Sequence, residues 1–83
     1  MGISSVVIIT DEADPASRRA LGTLAGDQRW TLGDWRRGTL SAVLETESMA
    51  EDRQCLRWLD EQPGVVGVHL VFAHYGEDDE DET

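Results

Sequence analysis

The chain has 83 residues and a formal charge of −10, from 17 acids against seven arginines and no lysine. That acidity argues against nucleic acid, whose phosphates call for neutralising bases, and it suits a cationic partner. A single cysteine, Cys55, excludes an internal disulfide, and no apolar run approaches the roughly 20 residues of a membrane helix. The N-terminus enters a strand almost at once with no basic region, so neither a signal peptide nor membrane insertion is expected. A cytoplasmic protein is therefore expected.

The length suits one small domain with one core. The six acids of Glu77 to Glu82 are too polar and self-repelling to fold. The chain therefore divides into a folded domain over 1–75 and a disordered acidic tail over 76–83.

In chain order, Ile3 to Thr10 is the first strand. Asp14 offers an N-cap with Pro15 behind it. Ala16, Ala20, Leu21 and Leu24 then form a helical stripe, and Gly26 suits the cap at its end. Trp30 to Leu32 is a short second strand, and Asp34-Trp35-Arg36-Arg37-Gly38 reads as a hairpin connection with an aromatic and basic tip. Thr39 to Glu45 is the third strand. Ser48-Met49-Ala50-Glu51 is a capping box. It opens a helix with Met49, Asp52, Cys55, Leu56 and Leu59 on one side, which Pro63-Gly64 ends. Gly64 to His74 is the fourth strand.

The order βαββαβ, with right-handed crossovers, predicts an α+β ferredoxin-like fold: a four-stranded antiparallel sheet with two helices on one face. Strands one and three should be central. Alternation assigns Val6, Ile8, Leu21, Leu24, Trp30, Leu32, Leu40, Ala42, Leu44, Leu56, Leu59, Val66, Val68, Leu70 and Phe72 to the core. The first and fourth strands are apolar on both parities, however, and two helices cover only one side of a sheet. The other face, with Ser5, Val7, Ile9, Thr31, Ser41, Val43, His69, Val71 and Ala73, is left as a shallow platform of small and β-branched residues. An apolar helix could lie across it, an extended segment could pair with an edge strand, or a second copy could cover it as a weak homodimer.

Nothing points to an enzyme. Cys55, His69 and His74 share no metal-ligand spacing, and five residues of separation should send the two histidines to opposite faces. Cys55 reads as a small core residue, and the glycines follow no nucleotide-binding pattern. No catalytic residue, metal site or cofactor is expected.

Three stretches carry a family resemblance. They are Ile3-Ser4-Ser5-Val6-Val7-Ile8, then Gly38-Thr39-Leu40-Ser41-Ala42-Val43-Leu44-Glu45-Thr46-Glu47-Ser48, and then Pro63-Gly64-Val65-Val66 leading to Leu70-Val71-Phe72-Ala73-His74. Together they resemble the NapD family, cytoplasmic chaperones of the catalytic subunit of periplasmic nitrate reductase. Two features depart from the family. The turn after the first helix is one residue longer, and the histidine of the closing Val-Tyr-His is displaced by one, with Phe72 in place of the tyrosine.

The resemblance implies binding of the twin-arginine signal peptide of the nitrate reductase precursor, which restrains export until the molybdenum cofactor is inserted. By position it implies a peptide-binding face of Ser5, Val7, Ile9, Ser41, Val43, His69, Val71 and Ala73, with Glu45 as a candidate for meeting the arginine pair. The alternative is a dimeric ferredoxin-like module that regulates or senses a small molecule.

Overall fold

Local capping chemistry sets both helices. The Asp14 carboxylate accepts from the Ala16 N–H at 2.9 Å with Pro15 in the first turn, and α1 runs Pro15–Ala25. Ser48 Oγ accepts from the Glu51 N–H, and Glu51 Oε1 accepts in return from the N–H of Glu47, both at 3.1 Å. The reciprocal bond thus reaches one residue further back than a capping box usually does, and α2 spans Met49–Asp60.

The computed structural model describes residues 2–75; the acidic run expected to be a disordered tail lies outside them. Strands β1 (Gly2–Thr10), β2 (Trp30–Arg36), β3 (Thr39–Thr46) and β4 (Val65–Tyr75) form one antiparallel sheet in the order β2-β3-β1-β4. This is the α+β ferredoxin-like arrangement that the element order predicts, with β1 and β3 central. Among the described residues no helix is long and apolar enough to cross a membrane.

The core lies between the helices and one sheet face. Val6, Ile8, Leu21, Leu24, Trp30, Leu40, Ala42, Leu44, Cys55 and Leu59 are buried there, and Leu32, Trp35, Leu56, Val65 and Val68 pack at its margin. One polar pair enters the same layer. The Ser4 hydroxyl donates to Asp52 Oδ1 at 2.9 Å, and both side chains are almost fully buried. A buried carboxylate needs such donors, so this contact fixes how α2 seats on β1.

The hairpin differs from the sequence reading. β2 continues to Arg36, and the connection is the two residues Arg37 and Gly38, with φ of 53° and 78°. Positive φ at both positions is the turn whose twist matches a hairpin. Trp35 is therefore no tip residue. It lies opposite Leu40, packs on the core and donates through Nε1 to Thr10 Oγ1 at 2.9 Å. The Gly38 carbonyl in turn accepts from the backbone N–H and the hydroxyl of Thr10, at 2.7 and 2.9 Å.

The larger correction concerns β4. Its register on β1 slips twice, leaving Val66 and Val71 as extra residues with none opposite. Each bulge inverts the parity of the residues beyond it. Val68 and Leu70 face the helix side, opposite Ile8 and Val6, whereas Phe72 lies opposite Ser5 on the other face. Val66, Leu70 and Phe72, assigned to the core by alternation, are 69%, 57% and 56% exposed.

Candidate functional site: the uncovered sheet face

Because both helices pack against Val6 and Ile8, the odd-numbered residues of β1 face the other way and are only half-buried. Register places four rows on this face. Ile9 lies between Thr39 and Gly67, Val7 between Ser41 and His69, Ser5 between Val43 and Phe72, and Ile3 between Glu45 and His74. Thr31 extends the Ser5 row across β2, and Arg36 extends the Ile9 row. Strands about 4.8 Å apart make the platform roughly 14 Å wide, enough to seat one helix about 10 Å across.

Most of the sequence-assigned residues meet there. Ser5, Val7, Ile9, Ser41, Val43, Glu45 and His69 share the face. Val71 is the bulge residue at its border, 65% exposed. Ala73 is not on it: the bulge sets it opposite Ser4, on the helix side. The same slip corrects the histidines, for His69 and His74 stand on one face rather than two.

Phe72 and His74 are thus residues that alternation missed, since a bulge has no local sequence signature. The centre of the platform is small and apolar, Glu45 marks one end and Arg36 the opposite corner. Such a surface suits apolar burial in the middle and charge recognition at its rim.

On the helix side, a cleft of about 370 Å³ is lined among others by Leu24, Asp27, Arg29, Trp30, Cys55 and Trp58. Its charges are already engaged. Arg29 donates through Nε and Nη2 to the two oxygens of Asp27, at 3.0 and 2.6 Å, and lies 3.9 Å from Glu51. The hydrogen bonds from Arg29 hold the Asp27 carboxyl below its ordinary value, and the same pairing raises the guanidinium. Burial pushes the Cys55 thiol up, away from the thiolate that nucleophilic chemistry uses.

Compared with known proteins, the chain matches no family model and no curated sequence. Its fold and its surface are what bear on function.

Proposed function

We propose that this protein is a NapD-like cytoplasmic chaperone that binds a twin-arginine signal peptide on its uncovered sheet face, without catalysis or cofactor. The observation that carries the reading is the platform itself, with Ser5, Val7, Ile9, Ser41 and Val43 contiguous at its centre and open to a partner. A signal peptide of this class is cationic at its start and apolar beyond. Burial of its apolar stretch on the platform supplies affinity, while the acidity of the chain steers the encounter. Glu45, at the end of β3 and exposed, is a candidate acid for the arginine pair.

Titration of the purified protein with a twin-arginine signal peptide and with its Lys-Lys variant tests the reading. The arginine peptide is expected to bind, and the variant more weakly, because arginine pairs bidentately with carboxylates and lysine does not. Absence of binding to either, well above micromolar concentration, sinks the proposal. Val71→Asp should weaken binding about tenfold or more, a loss of about 1.4 kcal/mol, with the fold intact.

A further inference from the structure

The two edges of the sheet are unequally guarded. β2 has seven residues, a register slip at Gly33 and Asp34, and charged side chains on Asp34 and Arg36 that are each 81% exposed. Short length and charge are usual defences of an edge against another strand. Register slips occur at both edges, once along β2 and twice along β4, so length and charge make the contrast. β4 has 11 residues with no Asp, Glu, Lys or Arg and no proline, and it carries Val66, Leu70, Val71 and Phe72, four of the five exposed large hydrophobic residues described. Beside it runs a groove of about 420 Å³ between the strand and α2, lined by Val6, Leu56, Val68 and Leu70 and flanked by Arg57 and Asp60.

From this contrast we infer that β4 is a homodimer interface: two copies pair antiparallel through β4 about a two-fold axis, making one eight-stranded sheet. A strand is self-complementary under such an axis. The flanking charges also complement themselves, because the axis brings Arg57 of one copy toward Asp60 of the other. The four exposed side chains offer on the order of 400 Å² of apolar surface per copy. Doubled and joined by the strand backbones, this reaches the low end of specific interfaces, roughly 1,200 Å². Antiparallel pairing also sets the two Tyr75 ends of β4 at opposite ends of a strand about 35 Å long, well beyond the screening length of about 8 Å. The interface shares Val71 and Phe72, at the border of the uncovered face, with the signal-peptide reading. Ser5, Val7, Ile9, Ser41 and Val43 stay open in both copies and Leu70 faces the helix side, so the Leu70 and Arg57 variants test this inference apart from that reading.

Sedimentation of the full chain across concentration and salt tests it. A reversible dimer is expected, tightened by salt because each copy carries −10, with concentration-dependent slowing of amide exchange along β4. Leu70→Lys should weaken the dimer at least about tenfold, with the fold checked by circular dichroism. Arg57→Asp should weaken it, and Arg57→Asp combined with Asp60→Arg should restore it. A monomer at every concentration and salt overturns the inference. So does a dimer that leaves β4 amides unprotected and ignores Leu70→Lys, which would mean that the copies meet through another surface.

Discussion

Truncation of Phe72 is the sharpest test of the bulged register. On simple alternation Phe72 belongs with Val68 and Leu70 in the core; in the structure it is 56% exposed and lies opposite Ser5. A buried Phe→Ala change costs about 3–5 kcal/mol, part of it for the cavity left behind. Less than half of Phe72 is covered, and water fills the space that it vacates, so Phe72→Ala should cost only about 1 kcal/mol. Leu44 is fully buried, and Leu44→Ala should cost about 2–5 kcal/mol.

In a domain of this size each kcal/mol lowers the melting temperature by about 4–8 °C. Thermal unfolding followed by circular dichroism should therefore show a drop of roughly 5 °C for Phe72→Ala and of about 10 °C or more for Leu44→Ala. Equal losses would mean that Phe72 is in the core and that the register does not slip. Signal-peptide affinity should move the other way, falling for Phe72→Ala and holding for Leu44→Ala at temperatures where that variant is folded.

Gly64→Ala should be more costly than its size suggests. Gly64 has φ of 89°, and a Cβ there would overlap the backbone of Ser17, 2.7 Å from its Cα, so a loss of about 2 kcal/mol or more is expected in urea unfolding. Ser4→Ala removes a donor from the buried Asp52 and should cost about 1–3 kcal/mol, whereas Ser5→Ala, one residue along on the other face, should fall within about 0.5 kcal/mol. Burial raises the Cys55 thiol above its ordinary 9.0. The unfolded chain then loses the proton first, so the stability due to Cys55 is complete below that pH and declines as pH rises past it. Stability of the wild type measured between neutral and alkaline pH should fall more steeply than that of Cys55→Ala. A thiol reagent at neutral pH should modify the native protein far more slowly than the unfolded one.

Wherever a local rule is enough, the architecture can be read from the chain. Asp14-Pro15 and Ser48 to Glu51 mark both helix starts by short-range bonding, and the two apolar parities of β1 announce a sheet needed on both faces. The failures share a physical cause. A strand's side chains are assigned by counting in twos, and one extra residue at Val66 or Val71 shifts everything beyond it. That extra residue is specified by pairing with β1, distant in sequence, and not by its neighbours. Trp35 is misplaced for a related reason: Arg37 takes a positive φ that its residue type does not advertise, so the turn is two residues rather than five.

The position of β4 also sets a timetable. β1 meets β3 with Gly2 opposite Thr46, but it meets β4 with Gly2 opposite Tyr75, and closing the longer loop costs more chain entropy before any contact repays it. During synthesis, β1, β2 and β3 can pair while β4 has yet to emerge, and β1 then presents its remaining side as a temporary edge. The last strand to be made is the one that closes the sheet, and until it docks, the β4 of a neighbouring nascent chain fits the vacancy equally well. Slow synthesis or crowded translation should therefore favour exchanged strands, a hazard that arises from the order of manufacture.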